Sequence, residues 1–458
     1  MTLPRPLKPA ALAATALTLF AAAPLARAAS ATLEGWALMP ANTFADGPTS
    51  GQFANGAGGN ALPLLNKQPV QGFSAVLAGP AAGSYIFMTD NGFGAQGNSA
   101  DALLRLYAVR PDFKTATGGS GTISAADYAT GAAMAGFGAG SHITLSDPNH
   151  LLSIKVQADY TRYYNNAANP LVDASIRSGR LLTGADLDVE SARKDKNGNY
   201  WFGDEFGPYL IKTNAKGEVL RREIGMLGVA SPQNEAVVNG TISATLGRSA
   251  GFEGMASNPG GNRLYTLLEG TVAGDAAGTL RINAFDVDTE SYTGQQWRYK
   301  LEAAGTNIGD MTAINDHEFL VIERNGATAT SGNPFKKIFK IDLNQVDGNG
   351  NLSKTEVVNL MDLADPNDLN GDGSQAFTFP FTTIESVLIL DAHTLLVAND
   401  NNYPGTGGRD LGSDNTEFLK IHLDQALNVS AVPEPSSYAL MLGGLGLIGF
   451  IARRRQRG

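Results

Sequence analysis

Residues 251–270 read GFEGMASNPGGNRLYTLLEG. A glycine-flanked acid, Glu253, opens a short apolar run. The turn NPGGN then reverses the chain, and a second apolar run ends on another acid, Glu269. Gly/Asn-rich turns between two short apolar runs are the chemistry of a tight β-hairpin. Neither run is long enough for a helix, and neither repeats with the period of one.

The same unit recurs along the chain. Gly72-Phe73-Ser74 leads through AVLAG to YIFMTDNG, ending at Asp90-Asn91. Asp186-Leu187-Asp188-Val189-Glu190 leads through DKNGN (195–199) to YWFGDEFG, with Asp204-Glu205 at its end. Ile308-Gly309-Asp310-Met311 leads through INDH to EFLVIERNG and Glu323-Arg324, and Ile384-Glu385-Ser386 leads through LDAH to TLLVANDNN and Asn399-Asp400-Asn401. A third apolar–polar alternating segment follows each unit: 103–109, 208–213, 280–287, 336–343 and 417–423. Such alternation is the period of a half-buried strand.

The reading is therefore an all-β chain built from a repeated sheet unit, a β-propeller. The openers stand at 74, 190, 253, 310 and 385, and the first interval is nearly twice the others. A disguised unit between about 110 and 180 brings the expected number to six blades. That stretch departs from the pattern: 115–140 is Gly/Ala-rich, and QADYTRYYNNAANP (157–170) is aromatic and polar without alternation. A tandem of β-sandwiches is the alternative, but it does not call for acids at matched strand ends.

Two end segments flank this body. Arg5 and Lys8, the apolar run Ala10–Ala23, Pro24 and Ala26-Arg27-Ala28 follow the three-part pattern of a secretory leader, which assigns 1–28 to a signal peptide. Residues 431–458 hold Val432-Pro433-Glu434-Pro435, the apolar stretch Tyr438–Ala452, and Arg453, Arg454, Arg455 and Arg457. Fifteen residues of helix reach only ~22 Å, short of a hydrocarbon core of ~30 Å, so the stretch suits a transient span. The arginines would stay cytoplasmic. Pro433-Glu434-Pro435 with that span and cluster resembles the PEP-CTERM sorting signal. The resemblance implies an exosortase-type protease as partner, transient inner-membrane association, and an exported destination at the cell surface, matrix or periplasm. A plain tail anchor is the alternative.

Composition narrows the chemistry of residues 29–430. The whole chain carries a formal charge of −10, and both end segments are basic, so the body is more acidic still. That disfavours nucleic acid or an anionic membrane surface as the main partner. With no cysteine, disulfides, thiol catalysis and zinc–thiolate sites are excluded. No phosphate-binding P-loop occurs. None of His142, His150, His317, His393 and His422 stands where a Ser–His pair would need it.

In a propeller the inner strand ends of all blades meet at one axial mouth. Ser74, Glu190, Glu253, Asp310 and Glu385 are the openers there, and Asp90, Asp204, Glu205, Glu269, Glu323 and Asp400 close the second strands. Carboxylates so gathered repel one another, which a hard divalent cation with oxygen ligands, Ca²⁺ by preference, would relieve. The expected metal ligands are Glu190, Asp204, Glu205, Asp310, Glu323 and Asp400. Glu253 and Glu385 are the expected catalytic carboxylates, with Arg324, Asn91 and Asn401 as substrate contacts. Taken singly, each is better read as a turn or edge carboxylate facing solvent; it is the five acidic or amide strand ends in matched register, taken together, that point to a site. Asp368–Gly373 (DLNGDG) matches the start of a calcium loop, but Phe379 stands where the bidentate acid belongs.

The strings DLDVESARKDKNGNYWFGDEFGPYLIK, GFEGMASNPGGNRLYTLLEG, IGDMTAINDHEFLVIERNG and TIESVLILDAHTLLVANDNN together resemble the "esterase-like activity of phytase" family of exported proteins. The resemblance implies a propeller-like fold and a phytase or esterase-like activity. Glu190, Asp204, Glu205, Glu253, Asp310, Glu323, Arg324, Glu385, Asn399 and Asp400 occupy its motif positions. Two readings follow: a metal-assisted hydrolase acting on a small anionic ester, phosphoric or carboxylic, or a non-catalytic binding propeller for a surface polymer.

Overall fold

The computed structural model describes residues 31–56 and 61–430. Strands dominate it, and helix is confined to single turns such as Ala174–Ser178 and Glu235–Val238. Each hairpin read from the sequence forms the inner half of a sheet. Blade I pairs Phe73–Ala78, Tyr85–Thr89, Arg105–Asp112 and Thr122–Ala125; blade II pairs Val189–Lys194, Tyr200–Asp204, Tyr209–Thr213 and Ile224–Gly225. Blade III runs Gly254–Ser257, Arg263–Leu267, Thr279–Asp286 and Ser291–Lys300, and blade IV runs Thr306–Ala313, Glu318–Asn325, Lys336–Val346 and Leu352–Asn359.

Blade V takes three strands from the C-terminal part, Ile384–Asp391, Thr394–Asn399 and Thr416–Leu423, and its fourth from Ala31–Met39. Ala31 pairs with Leu423 and Met39 with Thr416 in antiparallel register. Alternate residues of this first strand, Leu33, Ala37 and Met39, are fully buried. The first and last strands of the described residues are thus joined in one sheet, which closes the seam between them.

The inner strands close a ring: blade I packs on II, II on III, III on IV, IV on V, and V back on I. Five apolar cores fill the wedges between neighbours. Trp201 of blade II meets Phe285 of blade III, Tyr265 of III meets Phe319 of IV, and Phe87 of I meets Phe418 of V, while Ile322 of IV and Val397 of V lie in one shared core. The ring therefore holds five sheets, where six were expected. Beyond the end of Arg105–Asp112, residues 110–180 supply the outer strand of blade I, the short strand His142–Thr144 beside it, single helical turns such as Ala174–Ser178, and loops. Their Gly/Ala-rich and aromatic composition lacks the β-branched alternation that a sheet needs. Leu145, Leu152, Val156 and Leu182 instead wedge between blades I and II.

Burial falls from the axis outward. Tyr85–Thr89 and Tyr200–Asp204 are buried along their whole length, whereas the outermost Ser291–Lys300 is largely exposed. Among the described residues no helix is long and apolar enough to cross a membrane. The leader and the sorting tail, including the span expected at Tyr438–Ala452, lie outside them.

Candidate functional site: an acidic well at the axial mouth

The inner strands carry irregularities where the acids sit. Pairing shifts between Phe73 and Ala75, between Ile308 and Met311, and between Ile384 and Ser386; in blade II, Val189 and Ser191 pair with successive residues and leave Glu190 over. Each is a bulge, the device that re-aims one side chain out of a ladder. Ser74, Glu190, Asp310 and Glu385 are the residues so released. Glu253 directly precedes the first paired residue of its strand, Gly254.

Two linked clusters result. In the first, Arg324 of blade IV reaches Glu253 of blade III at 3.1 Å, Glu385 of blade V at 2.9 Å and Glu269 of blade III at 3.6 Å. Ser74 of blade I donates to Glu385 Oε2 at 3.1 Å, and Asn307 donates to Glu269 at 2.8 Å. In the second, Asp188, Glu190 and Glu205 bring one carboxylate oxygen each within 4.8 Å of the others, so that the three could hold a metal ion. Asn91 of blade I donates to Asp188 at 2.7 Å. Glu205 Oε1 is buried and has no hydrogen-bond partner among the described residues.

The electrostatics follow from burial. Glu190, Glu205, Glu253 and Asp90 are all held well above the ordinary carboxylate range, first by desolvation and then by the negative charge of their neighbours. Glu385 is pushed up to about 8 by burial, less than it would be without Arg324 beside it. Burial opposes the Arg324 charge, yet Glu253, Glu385 and Glu269 together more than offset it and hold its pKa above the usual value. Carboxylates this close in a buried site keep a proton or take a cation.

Other expected residues are spent on structure. Asp204 accepts the backbone N–H of Asp188 at 2.8 Å and of Gly207 at 2.7 Å, so it braces the turn that carries Glu205. Asp310 pairs with Arg193 at 2.7 Å and accepts the N–H of Val387, tying blades II, IV and V together. Glu323 points away from Arg324, as successive strand residues must. It takes bonds from Tyr299, Thr306, Lys354 and the Glu302 N–H. Asp400 accepts the Asn402 N–H at 2.8 Å while its charge acts on Asp90 and Glu385. Asn401 donates to Gln71 and to the Asp414 carbonyl, and its Oδ1 is buried without a partner among the described residues.

Asp188 had no assigned role, although it stands inside the DLDVE opener. Two acids before Glu190 in alternating register were the available signal. In the loop Asp368–Gly373, Asp368 accepts the Gly373 N–H and Asp372 accepts from Asn370 and the Ser374 N–H. These are bonds of an ordinary polar turn. His317 pairs with Asp342, while His393 and His422 stack on each other in blade V.

Residues 68–403 match the family described as "Esterase-like activity of phytase". The chain belongs to that family. Residues 431–456 match the PEP-CTERM protein-sorting motif, which marks the phytase-like chain as an exported protein and implies processing by an exosortase. No curated protein matches it. Among solved structures, a luciferin-regenerating enzyme is 11% identical over 80% of this chain and 84% of its own, with a TM-score of 0.33. An exo-β-1,3-galactanase from Phanerochaete chrysosporium is 11% identical over 77% and 60%, with a TM-score of 0.35. An endo-arabinanase from Bacillus licheniformis is 10% identical over 77% and 95%, at 0.32. At those scores the likenesses carry no argument about what the phytase-like chain does.

Proposed function

We propose that the axial well is the active site of an exported, metal-assisted hydrolase of phosphoric or carboxylic esters. The observation that carries this reading is the triad of Asp188, Glu190 and Glu205, with Glu205 Oε1 buried and unpartnered. A buried carboxylate oxygen with no donor is costly unless something positive meets it. The donor set is all hard oxygen, which fits a divalent cation and Ca²⁺ in particular. A cation so held supplies Lewis acidity toward an ester oxygen and acidifies water.

The remaining residues then divide the work. Glu385, pushed up to about 8 by burial, is suited to take and return a proton, and Ser74 and Arg324 fix its two oxygens. Glu253 shares the same guanidinium and is the second candidate for that role. Among the described residues Arg324 Nε is buried without a partner, so it is the donor left to meet an ester oxygen. Asn91 is better read as the group that orients Asp188 than as a substrate contact. Export, in this reading, removes residues 1–28 and passes the chain through the inner membrane before an exosortase acts at Pro433-Glu434-Pro435.

The test is a screen of the mature chain against phosphomonoesters, phytate and short acyl esters, with Ca²⁺ and then with a chelator. Turnover that the chelator abolishes, and that Glu205→Gln lowers by at least about tenfold, supports the proposal. Absence of turnover with tight binding of a polyanion through Ca²⁺ favours the non-catalytic binding propeller.

A further inference from the structure

The aromatic segment 157–170 plays no part in the well, yet it is firmly built. Gln157 ties it together, donating from Nε2 to the Arg162 carbonyl at 3.0 Å and accepting the Tyr164 N–H at 3.3 Å. Tyr164 donates its hydroxyl to the Ala185 carbonyl, so the segment is docked on the chain that leads to Asp188. Tyr164 and Asn165 both have positive φ, 38° and 64°, a conformation that costs energy in residues with a Cβ and that clusters at ligand clamps.

Beneath this segment lies a cavity of about 240 Å³ lined by Tyr163, Tyr164, Tyr209, Gln96, Gln233 and Asp186, among others. Gln233 is only 8% exposed. Its Nε2 donates to Ser249 at 3.1 Å, while its Oε1 is buried with no partner among the described residues. The Ser249 hydroxyl in turn supports the Asp188 carboxylate, which connects the cavity wall to the triad.

We propose that this cavity binds one neutral polyhydroxylated ring, of the size and kind of a hexose. Aromatic faces cover the apolar C–H faces of such a ring, and side-chain amides exchange hydrogen bonds with its hydroxyls. Gln233 Oε1 is an acceptor that a ligand hydroxyl satisfies. The charges disfavour an anion: Asp186 and Glu235 stand in the lining against Lys155 alone. Asp186 is already saturated by the N–H groups of Gln157 and Thr183 and by the Thr183 hydroxyl. The inference goes beyond ester hydrolysis and is independent of it, because it concerns binding in a cavity outside the triad.

The experiment is calorimetric titration of the chelator-treated mature protein with glucose, galactose and mannose, with inorganic phosphate and choline as further probes. At least one hexose is expected to bind, while phosphate and choline do not. Tyr163→Ala and Gln233→Ala are each expected to weaken hexose binding by about tenfold or more. Tyr163 sits on a half-buried loop, so its variant tests the site even if the Gln233 variant fails to fold. Binding of choline or phosphate in place of every hexose, no binding at all, or hexose binding indifferent to Tyr163→Ala would each overturn the proposal. Because no turnover is measured, an inactive enzyme leaves this result readable.

Discussion

Arg324 donates to Glu385 across the boundary between blades IV and V at 2.9 Å, with Glu385 buried and Arg324 half-buried. The same guanidinium holds Glu253, so one cation joins three blades at the mouth. Around it stand Asp90, Asp188, Glu190, Glu205, Glu269 and Asp400, all with pKa values raised by burial. The well is an electrostatic strain point of the fold, relieved in part by Arg324 and in part by protons or cations.

Removing that arginine leaves buried carboxylates uncompensated. Arg324→Leu is expected to lower the unfolding free energy by about 3–5 kcal/mol in urea titration. Lys337→Ala, which breaks a partly exposed pair with Glu356, is expected to cost about 1 kcal/mol or less. A loss below that level at Arg324 would refute the bracing role.

A cation bound only by the folded state stabilises it by about 2.7 kcal/mol at a hundredfold excess over its Kd. Calcium is therefore expected to raise the melting temperature and a chelator to reverse the rise. Glu205→Gln is expected to blunt this response, and Asp372→Asn to leave it intact. The opposite pattern would place the cation in the loop Asp368–Gly373.

The metal-free protein is expected to lose stability as pH rises from about 4 to 8. Burial raises Asp101 and Asp310 to about 6 and Glu385 to about 8. The unfolded chain releases those protons near pH 4. Over the interval the folded state therefore binds more protons than the unfolded one, and each proton released costs stability. Urea midpoints measured at pH 5 and pH 8 check the sign, and added calcium is expected to shrink the difference because it replaces protons. A midpoint that climbs with pH would contradict the charge state described for the well.

Closure of the ring rests on the strand Ala31–Met39. Leu33 is fully buried in the core shared with Leu419 and Leu423. Leu33→Ala is expected to cost about 2–5 kcal/mol, against less than about 0.5 kcal/mol for the neighbouring exposed Glu34→Ala. Equal effects of the two substitutions would show that the strand does not close the fold.

The sequence by itself determined whatever depends on neighbours a few residues apart. The hairpins, their Gly/Asn turns and the acids at strand ends were legible in GFEGMASNPGGNRLYTLLEG and its repeats, because turn chemistry and side-chain alternation are local. The sorting motif was legible for the same reason. Tertiary structure alone decided that five blades close the ring and that Ala31–Met39 completes the last one, since strand pairing across the whole chain leaves no local mark. It also decided which acids stay available. Glu323 and Asp310 have the same chemistry as Glu205, but side chains from other strands spend their oxygens, whereas no described residue donates to Glu205 Oε1. Whether a buried carboxylate is a strut or a ligand depends on what the opposing blade brings to it, and that opposition exists only once the ring has closed.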